Sequence, residues 1–359
     1  VKFDNALIKD CNFDSSEIKH VTFKDIQLEN VIFDDTLIED CNYDPSNIYD
    51  VTFKNAQLED VTFEKSLLIN CNFDLSVLKK INFRRCELIE SRFRKAKVSW
   101  GDFKYCDINL ATFQDSNIKY CDFYRALFKN VVVFRHCKIR NSSLYCTYFS
   151  EGATIRKDNL KDGKILQQDE DTYRDFLEYS KERGIKNRDW NLEKSLNDRF
   201  LDAEDIFRSL SGFWLTKGYM HDSNWAYVQA KRIERKRLKN ELEIKKKKSS
   251  YYVKFKMHNE IFWNYIADIS CKYGESLTRI TRTLFATLLI FALIYYIELS
   301  LTSINQALWI SFQRMVTINP EELTNVPNLI QLISLIQTII SILLIGLLGF
   351  ILGNKVRHQ

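Results

Sequence analysis

At 359 residues the chain is too long for one ordinary domain, and its net charge of +5 is too mild to define a partner. Nine cysteines make a disulfide scaffold only in a secreted chain with irregular spacing. The opening residues hold no basic stretch followed by an apolar run, so a signal peptide is not expected and the N-terminal part reads as cytoplasmic, with reduced thiols. No residue set has catalytic or metal-ligand spacing, and the histidines (20, 136, 221, 258 and 358) are scattered. A non-enzymatic chain without a cofactor is the expectation.

The first 150 residues are an internal repeat. Every fifth residue from Phe3 is large and apolar: Ile8, Phe13, Ile18, Phe23, Leu28, and so on without a miss to Phe128. The frame then slips by one residue within Val131-Val132-Val133 and resumes at Phe134, Ile139, Leu144 and Phe149. Two residues before each large site sits a small or β-branched one, such as Ala6, Cys11, Ser16, Ala56, Cys71 or Cys137. Seven of the nine cysteines fall there, so they read as core thiols. A period of five fits neither a helix nor a flat strand. A square coil fits it, with one pentapeptide per side and both sites pointing inward. Aromatic and aliphatic sites alternate, so opposite faces should carry Phe columns and the other two Leu/Ile columns.

This pattern resembles the pentapeptide-repeat family over residues 1–149. The resemblance implies a right-handed quadrilateral β-helix, here about seven coils, each touching only its neighbours. The outward residues are acid-rich over 1–78 and basic over 79–149. The gradient is either drift on a solvated rod or a basic end that meets phosphates or a neighbouring subunit. Some members of the family imitate DNA; the basic second half argues against that here.

Residues 151–250 read as an all-α linker. Thr172–Glu182 has helical spacing and is followed by a polar stretch holding Trp190. Asp202 is placed to cap a helix over Ala203–Thr216, and a second helix follows over Ser223–Lys247. The pair weakly resembles a tetratricopeptide hairpin. Packing and spacing is its plain role, and a ligand pocket for a small molecule or protein stays open there. The second helix is densely basic. Nucleic acid is disfavoured, because the next segment (251–276) is aromatic and amphipathic and leads into an apolar run. Lys245, Lys246, Lys247, Lys248, Trp263, Arg279 and Arg282 are therefore assigned to the lipid surface.

Two apolar runs, Thr283–Leu301 and Leu329–Leu352, reach the ~20 residues that a bilayer core requires. The bases beside them put both ends in the cytoplasm and the loop outside, at the inner membrane of a cell. Between the runs, Ala307–Phe312 resembles the pore helix of two-transmembrane potassium channels. Tyr273-Gly274-Glu275-Ser276-Leu277 resembles the lead-in of pentapeptide-repeat proteins that end in an ion-channel-like hairpin. The fold expected for 277–359 is thus a two-helix transmembrane pore-loop hairpin. Where the potassium channels have Thr-x-Gly-Tyr-Gly-Asp, this chain has Thr317-Ile318-Asn319-Pro320-Glu321-Glu322. Without glycines, carbonyls cannot be aimed freely at an ion, so potassium selectivity is not expected. Arg314 should pair with Glu298 or a loop carboxylate, or face the ion path. Gln331, Ser334, Thr338 and Ser341 form a polar stripe, with Gln337 beside it, that lines a pore or packs on a helix. Gly346 and Gly349 serve as a hinge or a packing surface.

The expected function is an oligomeric, cation-permeable channel-like protein regulated by a cytoplasmic solenoid, with four subunits implied by the resemblance. One setting is a bacterial stress or anti-phage effector. The rival is a solenoid scaffold on a membrane anchor that does not conduct.

Overall fold

The computed structural model describes residues 1–160, 164–168, 170–171, 173–175, 178, 195–245, 250–323 and 326–357, with side chains to 353 at the C-terminal end. It divides into two compact units, Val1–Glu241 and Leu242–Gln359, so the solenoid and most of the linker form one unit.

The solenoid is built from parallel strands. One eight-stranded ladder runs from Leu7–Lys9 to Tyr148–Phe149 and one seven-stranded ladder from Glu17–Lys19 to Lys138–Arg140. These two sides carry the aliphatic sites, in a register of twenty residues such as Leu58 beside Leu78 and Leu78 beside Val98. Beyond one short strand pair at the start, Lys2–Asp4 with Thr22–Lys24, the two aromatic sides are joined by single bridges, such as Thr52 to Asn72, and by tight turns. The expected alternation of faces is what the structure holds. Past residue 129 the spacing becomes 21, as in Ile118 beside Ile139. The extra residue is Val131, which is exposed, while Val132 drops into the small inward site.

Two columns of rings stack down the axis, Phe3 to Phe123 and Phe13 to Phe134, with successive centroids 4.7 to 5.4 Å apart. Rings of the two columns meet edge to face, as Phe63 does with Phe73 at 6.3 Å. Offset stacks and edge contacts suit the ring quadrupole, and burial of each Phe contributes roughly 1.5–3 kcal/mol.

The small inward sites have a second use. Ser66 Oγ donates to Tyr43 O at 2.9 Å, and Cys86 Sγ to Phe63 O at 2.7 Å, each one coil back. This explains why Ser, Thr and Cys share that site with Ala. Gly101 occupies it where a Cβ would not fit unshifted: it would stand 2.8 Å from the Phe103 ring and 3.1 Å from Cys121 Sγ. All nine cysteines are free thiols. Burial pushes Cys71, Cys121 and Cys137 up to about 12.

From Asn5 to Cys146 each corner residue, two after the large site, has left-handed backbone except Pro45, as at Asn5, Asp10, Asp25, Asn30, Asp50 and Asn70. Asn and Asp tolerate that region best among side-chain-bearing residues. Much of the acidity of the first half therefore sits at corners for a backbone reason. On the aromatic sides Asn or Asp before the ring closes the turn after it, as Asn72 Oδ1 accepts the N–H of Asp74 at 3.0 Å.

The last coil is covered by helices. A short helix α1 (Lys157–Leu160) precedes α2 (Leu196–Thr216) and α3 (Met220–Lys245). Trp214 of α2 is fully buried and donates to Ile155 O at 2.8 Å, and Phe213 packs on Phe149. Ser211 and Ser223 bond α2 to α3. The expected N-cap is corrected. α2 begins at Leu196, where Ser195 Oγ accepts the N–H of Asp198 at 3.2 Å, and Asp202 lies buried nearly two turns inside the helix. Trp190 and most of Thr172–Glu182 fall outside the described residues.

Candidate functional site

The second unit opens with α4 (Tyr251–Cys271), whose aromatic residues stand out: Tyr251, Phe255, Phe262, Trp263 and Tyr265 are exposed. Its end is a left-handed turn through Lys272, Tyr273 and Gly274. Tyr273 N–H returns to Ala267 O, and Ser276 caps the next helix by accepting from Arg279 N–H. The Tyr-Gly-Glu-Ser stretch is thus a helix stop followed by a helix start. Arg279 is not a free lipid-facing base: its Nη1 donates to Asp268 O at 2.6 Å and to the buried Asp268 carboxylate at 3.2 Å. Arg282 and Trp263 are exposed. Lys245 ends α3, while Lys246, Lys247 and Lys248 lie outside the described residues.

α5 (Leu277–Glu298) and α7 (Asn328–Arg357) hold 22- and 26-residue stretches long and apolar enough to cross a membrane. α6 (Ile304–Met315) has 12 residues, too few to cross. One buried amide joins the three helices. Gln337 Nε2 donates to Ser311 O at 2.9 Å and Ser311 Oγ at 2.8 Å, and its Oε1 accepts from Tyr295 OH at 2.7 Å. Ser311 Oγ donates onward to Leu288 O at 2.8 Å. Gln337, Tyr295 and Ser311 are all fully buried. Tyr295 and Ser311 were missed by sequence reasoning, since neither breaks the apolar pattern in a way that marks its partner.

After α6 the chain makes a Schellman turn: Thr317, at φ +66°, donates to Arg314 O, and Ile318 to Gln313 O. Thr317 is therefore a helix stop, and it alone has positive φ among the described loop residues 316–323. For Arg314 the carboxylate partner is replaced by an amide. Its Nη1 donates to the amide oxygen of Asn319 at 3.0 Å, and it forms no ion pair among the described residues. Thr317, Asn319, Glu321 and Glu322 are exposed.

The polar stripe on α7 divides. Ser334 and Ser341 are buried on the same side as Gln337, inside the hairpin, which is the helix-packing alternative for those two. Gln331 is exposed and Thr338 half-buried, bonded to Ser334 O of its own helix. Gly346 and Gly349 sit in unbroken helix, and a Cβ at either would meet nothing within 4 Å. They make no close contact within the hairpin. No group of three or more His, Cys, Asp or Glu among the described residues is placed to hold a metal.

The class these features define is a parallel-strand β-solenoid followed by helices, two of them membrane-compatible. The particular family follows from comparison: residues 16–93 match the family described as Pentapeptide repeat region, and the solenoid is a pentapeptide-repeat domain. Comparison with curated proteins gives no match. Among solved structures, HetL, a pentapeptide repeat protein involved in heterocyst differentiation regulation from the cyanobacterium Nostoc sp. strain PCC 7120, is 13% identical, with a TM-score of 0.26 over 46% of this chain and 89% of that one. Full-length QnrB1, a plasmid-mediated fluoroquinolone resistance protein, is 12% identical, with a TM-score of 0.23 over 50% and 98%. Rfr23 from the cyanobacterium Cyanothece 51142 is 10% identical, with a TM-score of 0.21 over 41% and 89%. At such values the fold assignment stands on the chain's own period and ladders.

Proposed function

We propose that the chain is a membrane-embedded, oligomeric pore-loop protein whose pentapeptide-repeat domain docks or senses on the cytoplasmic side. The observation that carries this reading is α6. A helix too short to span is held between two membrane-compatible helices by the Ser311–Gln337–Tyr295 network. Backbone that does not cross is tolerated at membrane depth only where protein buries it or water lines it. One hairpin cannot enclose a path, so several copies are required, four by the resemblance. Glu321 and Glu322 are exposed beyond α6 and would gather cations at a mouth. A loop whose left-handed residue is spent on a helix stop offers no ring of carbonyls for potassium. Gln331 and Thr338 are the stripe residues left to line a shared path. Bases flanking both spans support cytoplasmic termini.

The rival, a solenoid on a mute anchor, has its own support: the outward face of α7 is apolar through Leu332, Leu335, Ile339, Ile342 and Leu343. Planar-bilayer recording of purified protein decides between them. The pore reading expects cation-preferring current. Changing Glu321 and Glu322 together to Gln should weaken that preference most at low salt, since screening acts within ~8 Å at physiological ionic strength. No current under any stimulus, together with no ion flux from liposomes, leaves the anchor.

A further inference from the structure

The basic face of α3 is not uniform. Lys231 pairs with Glu234 at 2.8 Å, and Arg237 with Glu204 at 3.2 Å and Glu241 at 3.7 Å. Lys236 and Lys239, one turn apart and exposed, form no ion pair among the described residues. Both border a cleft of about 500 Å³ between α2, α3 and the segment carrying Lys164 and Gln168. That volume lies within the range of small-molecule sites.

The cleft has two kinds of wall. Its floor is apolar: Phe207 and Ile233 are buried, and the half-buried Trp225 ring stands edge to face with Phe207 at 5.6 Å. Its rim is cationic, with Lys164, Arg232, Arg235, Lys236 and Lys239, and holds no carboxylate among the described lining residues. Gln168 and Gln229 add carboxamides that can read the edge of a ring. A solvated helix face explains the lysines but not the indole beneath them. A lipid headgroup explains the charge but makes no use of a flat aromatic wall.

We propose that this cleft binds a nucleoside polyphosphate, with the base against Trp225 and the phosphates among the rim lysines and arginines. Planar rings stack on indole and on guanidinium, and charge-assisted bonds hold phosphate oxygens. The site would make the linker a ligand sensor. Binding can be measured without current, so its failure and the failure of the pore reading are separate results.

The test is titration of the purified full chain by calorimetry with ATP, GTP, inorganic triphosphate, adenosine and vesicles of anionic phospholipid. A nucleoside triphosphate should bind at least tenfold more tightly than inorganic triphosphate or adenosine. Lys236→Glu with Lys239→Glu, both at exposed positions, should cut that affinity by about tenfold per lysine. Lys95→Glu with Lys97→Glu, exposed on the solenoid, should leave it unchanged. Trp225→Phe should reduce the preference for the nucleoside over bare triphosphate, while phosphate binding persists. Equal binding of inorganic triphosphate overturns the claim for the base. Equal loss in the solenoid variant, or binding to anionic vesicles alone, reduces the cleft to a non-specific basic surface. No binding up to about 1 mM removes the site.

Discussion

Tyr43 is the one ring in the two stacked columns that carries a hydroxyl, and that hydroxyl has no hydrogen-bond partner among the described residues although it is fully buried. Burial pushes its pKa well above the usual value. An unsatisfied buried donor costs about 1–3 kcal/mol. Tyr43→Phe keeps the stack and removes the orphan, so it should raise stability by about 1–2 kcal/mol in denaturant titration. No gain would mean the hydroxyl is satisfied in solution. A different polar group lies further along the same side. Lys104 is buried between Asp102 and Asp122, with Nζ 3.3 and 3.4 Å from their carboxylates. Burial works against its charge, but the two carboxylates overcome this and hold its pKa above the ordinary value. Asp122 goes the other way from a normal ion-paired acid: burial outweighs Lys104 and lifts it from 3.8 to about 6. Between roughly pH 4 and 6 the folded state then keeps a proton that the unfolded state releases. The associated stability is present below the unfolded pKa and lost as pH rises through about 6, on the order of 2–3 kcal/mol. Asp122→Asn cannot titrate, so its stability relative to the parent should improve as pH rises from 4 to 7. A difference that is flat with pH would place Asp122 in an ordinary ionised pair. None of this was legible in the repeat, because Asp102, Lys104 and Asp122 occupy positions that are exposed or half-buried in most other coils.

At the scale of elements, what could be read depended on how many residues carried the signal. The solenoid was legible to the single slipped residue, because each pentapeptide repeats the same two inward sites. The corners were not, although Asp10, Asp25, Asp50 and Asn70 recur at the same offset; they looked like surface charge until the backbone showed φ near +50°. Helix starts were weaker still. Asp202 has the chemistry of an N-cap, but it is a buried neighbour of Tyr145, whose pKa rises through burial and that carboxylate. In α7 the spacing of Gln331, Ser334, Thr338 and Ser341 indicated a stripe. It could not tell the half that meets α5 and α6 from the half that does not, because periodicity names a face and not its partner. The amide that joins the hairpin offers a test. Gln337→Leu removes bonds to Tyr295 and Ser311 at once. Buried side-chain hydrogen bonds in membrane proteins average well under 2 kcal/mol each, so a loss on the order of 1–3 kcal/mol in detergent is expected. Adding Tyr295→Phe should recover part of it, since the stranded hydroxyl goes too. If the double variant is instead weaker by the sum of two single losses, the two side chains are not coupled.

At the scale of the molecule, the solenoid should behave as a one-dimensional stack, in which each coil's stability comes from its neighbours. This makes register count for more than length. Removing residues 61–80 deletes one coil and brings Ile81 to the place of Val61, so Phe83 falls on the column of Tyr43, and Leu78's successor Val98 on that of Leu58. Every remaining contact is of a kind already present. Removing only residues 61–65 sets Leu68 where Phe63 stood and turns each later ring onto an aliphatic ladder. At the junction, Phe must then sit on Leu or Ile, and a three-residue strand must pair with a turn held by one bridge. Mismatched core volumes cost about 1–3 kcal/mol per site, and all four sides of the junction coil are affected. The shorter deletion should therefore be the more damaging. The chain lacking twenty residues is expected to melt cooperatively a few degrees below the parent, with its far-ultraviolet spectrum preserved in shape. The chain lacking five should lose the cooperative transition or melt far lower. If the twenty-residue deletion proves worse, the stack is not governed by its nearest neighbours, and the two aromatic columns act as continuous units along the whole solenoid.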